Sequence, residues 1–472
     1  MVDSTALRAA FARRLSAMYG TEVPAYNTLV DVAQEVNREV LERMGADAER
    51  LGSIDRVTAE RHGAIRVGTP AEMAQVARIF GAMGMYPVGY YDLREAASSS
   101  VPVVSTAFRP VDEAELAANP FRVFTSMLVA GDRRFFDEDL ERRLGEFLGA
   151  RRLFPPRLLE LADRAEAEGG LDDQAAEEFL TLATRAFELS REPVSRSWYT
   201  ELERISSVAA DIGGVPSTHV NHLTPRVLDI DALYTRMSER GIAMIDAIQG
   251  PPRWNGPDLL LRQTSFRALA EPRVFREDDG RVVEDDLRVR FGEVEARGIA
   301  VTPAGRALYD ELTAELDAAL AGQRVTAEER NTVAAGLWEG RVPSTEAELV
   351  TGDLAYFTFH TTGHGTGTRP ASAPPADLAA LLAEGRVTAR PIVYEDFLPR
   401  SAAGIFQSNL TSDGSKDVTR AGAEFGPEAL AGVLGRTLHD PYELYASIRA
   451  ASLARVRDEL GLGREITLPA AR

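Results

Sequence analysis

One pattern occurs twice in this chain, and it narrows the possible folds more than any other feature. The run Arg61–Val67 has the alternation of a strand. Thr69-Pro70-Ala71-Glu72 then reads as a helix start, with Thr69 as N-cap and Pro70 at the first helical position. Met73, Val76, Ile79 and Phe80 repeat at helical spacing, Gly84 ends the helix, and Tyr86–Leu93, Val101–Arg109 and Phe121–Val129 read as three further strands. The stretch His219–Thr302 repeats the order. It has a first strand through His222, a helix Asp229–Arg240, two strand-like runs at Ile242–Ile248 and Leu259–Ala268, and a last strand Phe291–Arg297. Both copies open on His-x-x-x-Arg, at His62/Arg66 and at His222/Arg226. Two copies of one supersecondary unit predict an α+β chain built from paired βαβββ modules that form a curved sheet.

The rest of the chain is arranged around that pair. Residues 1–55 read as a helical N-terminal segment, with two amphipathic stripes separated by Pro24. The first module takes 56–131 and a charged, helical insert takes 132–210. The second module covers 211–302. Residues 303–472 add helices, strands and pocket loops, beginning with a helix that Thr302 caps. Tyr394–Phe406, dense in small residues after an apolar run, reads as a loop that approaches the pocket. Ala371–Pro375 and Asn409–Lys416 read as turn and loop.

Composition excludes several kinds of chemistry. There is no cysteine, so disulfides and thiolate metal sites are impossible. A net charge of -19 argues against nucleic acid as a partner, because phosphate recognition needs clustered Lys and Arg. No apolar run is long enough to span a bilayer, and the N-terminus lacks a signal-peptide core, so a cytoplasmic protein is expected, and the composition is compatible with a homo-oligomer. Any metal must be held by His and carboxylate, and with six histidines in the chain each one is informative.

Period-2 alternation sets the candidates. Val220, His222, Thr224 and Arg226 share one strand face, and Glu293, Glu295 and Arg297 share another. His62, His222 and Glu293 together are the ingredients of a facial triad, which leaves coordination positions open and suits Fe(II). Taken singly, each has a bland reading: a strand histidine is commonly structural, and Glu293 could pair with Arg297. His219 competes with His222 but lies on the opposite face, and the symmetry with His62 favours His222. Glu295 shares the face of Glu293, so spacing leaves the two open. Arg66 points the way His62 does and is a candidate for holding a carboxylate; Arg226 and Arg267 are weaker ones. His360 and His364, in a glycine-rich stretch, read as a loop near the pocket, and His439 as a turn or helix start.

Several of these motifs resemble known proteins. Asn221-His222-Leu223-Thr224-Pro225-Arg226-Val227 and Phe291-Gly292-Glu293-Val294-Glu295-Ala296-Arg297 are similar to the first and last strands of vicinal oxygen chelate iron dioxygenases. With His62–Arg66, Arg262–Arg267 and Ser401–Phe406, spread over residues 60–410, the chain resembles the 2-oxoadipate dioxygenase/decarboxylase family. The resemblance implies Fe(II) held by His62, His222 and Glu293. It also implies a 2-oxo dicarboxylic acid and O2 as substrates, with His62, Arg66, Arg400 and Ser401 around the bound acid and Arg66 essential to turnover. At Arg400 the family is expected to carry a smaller, apolar residue. Other readings of the same fold are an extradiol dioxygenase, an isomerase, and a metal-free small-molecule binder.

Overall fold

The computed structural model describes residues 1–95, 101–287, 290–363, 377–409 and 416–468, without the side chains of Phe406 and Gln407. The first module holds β1 (Arg61–Val67), β2 (Tyr86–Asp92), β3 (Val103–Arg109) and β4 (Arg122–Leu128), with the helix Pro70–Gly81 between β1 and β2. That helix starts where the sequence says it should. Thr69 and Glu72 form a reciprocal capping box, and Glu72 also accepts from the Gly68 N–H at 2.6 Å. Its apolar face (Met73, Val76, Ala77, Ile79 and Phe80) is fully buried, and each large side chain there contributes about 1.5–3 kcal/mol. Phe80→Ala would cost about 3–5 kcal/mol. A short helix Glu113–Ala118, not foreseen, joins β3 to β4.

In the helical insert, helices at Glu138–Ala150, Pro156–Glu168, Asp173–Ala186, Arg196–Glu203 and Ser207–Gly213 surround the two-residue strand β5 (Val194–Ser195). The second module follows with β6 (Val220–Pro225), the helix Ile230–Glu239, β7 (Leu261–Ser265), β8 (Glu271–Arg276), β9 (Val282–Leu287) and β10 (Glu293–Arg297). The C-terminal additions hold β11 (Phe357–Thr361) and β12 (Val387–Pro391) among helices.

The two modules share one sheet. Its order is β2-β3-β4-β1-β6, with β1 parallel to β4 and antiparallel to β6. The first strands of the two modules thus lie side by side: His62 pairs with Thr224 and Ala64 with His222. A parallel bridge between Arg226 and Glu295 carries β10 onto the free edge of β6, and β10 pairs antiparallel with β7. The strand expected at Ile242–Ile248 does not form a ladder. It touches β7 through isolated bridges at Met244–Phe266 and Gln249–Gln263, because the chain there leaves the sheet after each contact. The β8–β9 hairpin, also unforeseen, pairs with β5 of the insert.

Helices back the outer face of the sheet. The N-terminal helix Ser4–Glu22 does more than pack: its buried Tyr19 hydroxyl donates to Asn221 O at 3.1 Å and to Phe291 O at 2.8 Å, fastening β6 to the chain just before β10. The stretch expected to be a loop at Tyr394–Phe406 is irregular only as far as Leu398; Pro399–Asn409 is a helix, which Pro399 opens at its first position. Ala371–Pro375, His364 and most of Asn409–Lys416 lie outside the described residues.

Candidate metal centre

The inward face of the sheet brings three residues from distant parts of the chain to one point. His62 on β1, His222 on β6 and Glu293 on β10 are all buried, and their ligand atoms lie within 4.8 Å of one another. Glu293 bridges the pair. One carboxylate oxygen is 3.5 Å from His62 Nε2 and the other 3.3 Å from His222 Nδ1. The imidazoles stand edge to face, centroids 5.4 Å apart. A phenylalanine walls each ring: Phe397 stands 4.9 Å from His62 and Phe291 5.3 Å from His222. Gly292 explains why the turn into Glu293 must be small, since a Cβ there would lie 2.2 Å from the Phe266 ring.

Electrostatics agree with a cation site. Neither ring nitrogen of His222 has a hydrogen-bond partner although both are buried. Orphaned imidazole nitrogens are costly unless something else takes the lone pair. Burial, with His62 and Arg66 nearby, pushes the His222 pKa well below its usual value, so it stays neutral and able to donate. Burial also raises Glu293, against the pull of His62. Burial alone would lower His62, but Glu295 and Glu293 more than offset it and raise its pKa. A metal ion would relieve the crowding, since two imidazoles and one carboxylate match the donor set of a divalent transition metal.

Behind the three donors lies a buried lattice of opposite charges. Glu295 Oε2 is 2.8 Å from His62 Nδ1. Arg297 grips Glu295 with two hydrogen bonds of 2.7 and 2.9 Å, and Arg122 reaches it at 3.3 Å. Arg122 also bonds Glu60 at 2.7 Å and pairs with Glu395, which Arg56 engages in turn. Asp396, next along the chain, accepts from Arg109 and from the Tyr445 hydroxyl. Arg297 donates to the carbonyls of Tyr394 and Asp396. Four guanidinium groups and one tyrosine thus hold the 394–398 segment, and they place Phe397 against His62.

Arg66, four residues beyond His62, is buried and bonds Asp211 at 2.5 Å. Asp211 also accepts from Asn221 at 2.9 Å and lies 3.3 Å from His219 Nε2. His219 therefore belongs to the Arg66 cluster, apart from the three donors. The other expected residues fall elsewhere. Arg226 is committed to Glu60 at 2.9 Å and to the Leu51 carbonyl at 2.7 Å. Arg267 pairs with Asp246 at the surface. Arg400 is exposed and pairs with Asp317, so its side chain is turned away from the interior, whereas Ser401 beside it is buried. His360 lies on β11, paired with Thr388 of β12 in a separate two-stranded sheet, and His439 bridges to Val88 of β2. Sequence reasoning missed Asp211, Arg122, Glu60 and Phe397. A lone acid in the apolar helix Ser207–Gly213 was a readable signal for the first of these.

A family model described as 2-oxoadipate dioxygenase/decarboxylase matches residues 11–409. The chain belongs to the 2-oxoadipate dioxygenase/decarboxylase family. A relative of that name from Mycobacterium tuberculosis is 56% identical over 442 residues, covering 94% of this chain and 96% of the relative. One from Pseudomonas putida is 42% identical over 468 residues, 98% of each. The crystal structure of the Pseudomonas putida hydroxyglutarate synthase in complex with 2-oxoadipate superposes with a TM-score of 0.84 at 39% identity, covering 98% of this chain and 99% of that one. Likeness to this family therefore extends over the whole centre, from β1 to Ser401.

Proposed function

We propose that this chain is an Fe(II)-dependent dioxygenase that converts 2-oxoadipate and O2 to 2-hydroxyglutarate and CO2, in the cytoplasm, as a step of lysine catabolism. The observation that supports it best is the convergence of His62, His222 and Glu293 in a chain that shares its family and fold with a 2-oxoadipate-bound hydroxyglutarate synthase. Those three residues would hold the ion. Bound Fe(II) supplies the electron transfer to O2 that no side chain can provide, and three donors leave positions for a chelating 2-oxo acid and the gas.

The remaining work falls to side chains. Arg66 holds a substrate carboxylate by charge-assisted hydrogen bonds, and Asp211 keeps its guanidinium in place. Fixing the acid in one pose lets orientation lower the barrier to C1–C2 cleavage. Ser401, with the peptide N–H groups at Arg400 and Ser401 in the first turn of the helix Pro399–Asn409, offers donors to a second carboxylate. The exposed Arg400 side chain is then immaterial to binding. Phe397 and Phe291 keep water from the imidazoles. The reaction balances without an organic cofactor, because the 2-oxo acid itself supplies all four electrons that O2 takes up, two in losing CO2 and two in the hydroxylation of the adjacent carbon.

The test is oxygen consumption by protein loaded anaerobically with Fe(II) and given 2-oxoadipate, with 2-hydroxyglutarate and CO2 measured as products. His222→Ala should abolish uptake and metal retention together. Equal uptake by wild type and variant would overturn the assignment. Turnover of a thiol adduct without oxygen would point to an isomerase instead.

A further inference from the structure

Two acids share the inward face of β10, and the donor set uses one of them. We propose that Glu295 is the positioning residue of the centre: its carboxylate accepts the Nδ1–H of His62, fixes that tautomer and aims the Nε2 lone pair at the metal. This rests on the metal reading above. The two acids bracket the His62 ring, Glu295 2.8 Å from Nδ1 and Glu293 3.5 Å from Nε2. A neutral imidazole has one donor and one acceptor nitrogen, and the partner of the first decides the role of the second. Glu295 cannot drift, because Arg297 holds both of its oxygens and Arg122 reaches one of them in a fully buried setting. Phe397, at 4.9 Å, opposes rotation of the ring.

His222 has a different neighbour. No aligned hydrogen bond reaches His62 Nδ1 or either nitrogen of His222, but His62 Nδ1 faces a carboxylate outside the donor set at 2.8 Å, whereas His222 Nδ1 faces Glu293, itself one of the three, at 3.3 Å. The centre thus places one imidazole beside a carboxylate that two arginines hold and the other beside a fellow member of the donor set. Carboxylates that orient metal-bound histidines typically alter metal affinity by about 10- to 100-fold.

The experiment is a Mn(II) titration followed by the EPR signal of free ion, on wild type, Glu295→Gln and Arg226→Gln. Arg226 belongs to the same charge lattice through Glu60 but does not touch His62. Glu295→Gln is expected to weaken Mn(II) binding about 10- to 100-fold, while Arg226→Gln lowers the melting temperature and leaves the affinity within about twofold. Unchanged affinity in Glu295→Gln, or an equal loss in both variants, overturns the proposal. Should Glu295→Gln fail to fold, Mn(II)-loaded wild-type crystals decide: coordination through His62 Nε2 with Glu295 at Nδ1 supports it, and coordination through Nδ1 overturns it. A wild type that takes up no Mn(II) at all would remove the metal reading itself.

Discussion

The two modules are built to one plan and spend it differently. In the first, β1 to β4 pair along their length with one bulge between Val88 and Tyr91, every residue of β3 and β4 is buried, and one candidate metal donor, His62, is supplied. In the second, the strand after the helix survives only as isolated bridges, a hairpin is inserted before β10, and two candidate donors are supplied, His222 and Glu293. The registers locate the divergence. Arg66 pairs with Ser126 on β4, and Arg226 bridges to Glu295 on β10. Two positions before those partners stand Phe124 in the first module and Glu293 in the second. The first module has placed an aromatic ring, packed on Phe397 at 5.0 Å, where the second has Glu293, the acid of the candidate centre. A duplicated fold thus yields three candidate donors where strict symmetry would yield four. Regular pairing stayed with the module that braces the site, and irregular backbone with the one that carries more of the chemistry.

The matched arginines offer the sharpest way to break this comparison. Arg226 bonds Glu60 and a carbonyl in the fully buried lattice, so Arg226→Gln strips a buried carboxylate of a partner and should cost about 3–5 kcal/mol. Urea unfolding would measure it, with Mn(II) affinity unchanged. Arg66→Gln should do the opposite: metal uptake persists, while kcat/KM for 2-oxoadipate falls about 10- to 100-fold, the worth of a lost charge-assisted hydrogen bond of about 1.5–3 kcal/mol. Loss of metal in Arg66→Gln would return Arg66 to a structural role and make the two arginines equivalent after all.

Much of this was legible in the sequence, for physical reasons that differ by residue. The helix Pro70–Gly81 announced itself through Thr69, Pro70 and Glu72, which act within one turn. The His-x-x-x-Arg repeat fixed the faces of β1 and β6, because strand periodicity is local. Spacing could not separate Glu293 from Glu295, since both point inward; what separates them is Arg297 and Arg122, one of which is 173 residues distant in the chain. The lapse at Ile242–Ile248 was hidden for the same reason: an apolar run does not say whether its neighbour continues alongside it. Pro399 was a visible helix start, but the small residues after it read as loop because they contribute little periodicity. Arg226 and Arg267 could not be told apart from Arg66 by type, only by the partners that the fold gives them.

His219 extends the comparison to pH. It precedes His222 by three residues, and the matching position before His62 is Ala59, so only the second module carries this imidazole. Burial, against the pull of Asp211, depresses its pKa to about 3. An unfolded histidine takes its proton near pH 6.5. Between those values the unfolded chain binds a proton that the folded one refuses, so this contribution to stability is present above about pH 6.5 and is lost as pH falls toward 3. His219→Gln should flatten the decline by up to about 1.4 kcal/mol per pH unit between pH 6 and 4, read from urea midpoints. An unaltered slope would mean that the ring is protonated in the fold.

The smallest effect is expected at Arg400. Its neighbour Ser401 is buried, yet the Arg400 side chain is more than half exposed and pairs with Asp317 across the surface. Exposed pairs of this kind are worth about 0–1 kcal/mol, because water screens them and ordering two long side chains offsets the gain. Arg400→Val should therefore shift stability by less than about 1 kcal/mol and leave KM for 2-oxoadipate within about twofold, since the peptide N–H at that position is retained. Steady-state kinetics on 2-oxoadipate and on its one-carbon-shorter and one-carbon-longer analogues would check this. A change in chain-length preference would show that the guanidinium swings inward when substrate binds, and that the C-terminal helix contributes a charged side chain to a site otherwise built by the two modules.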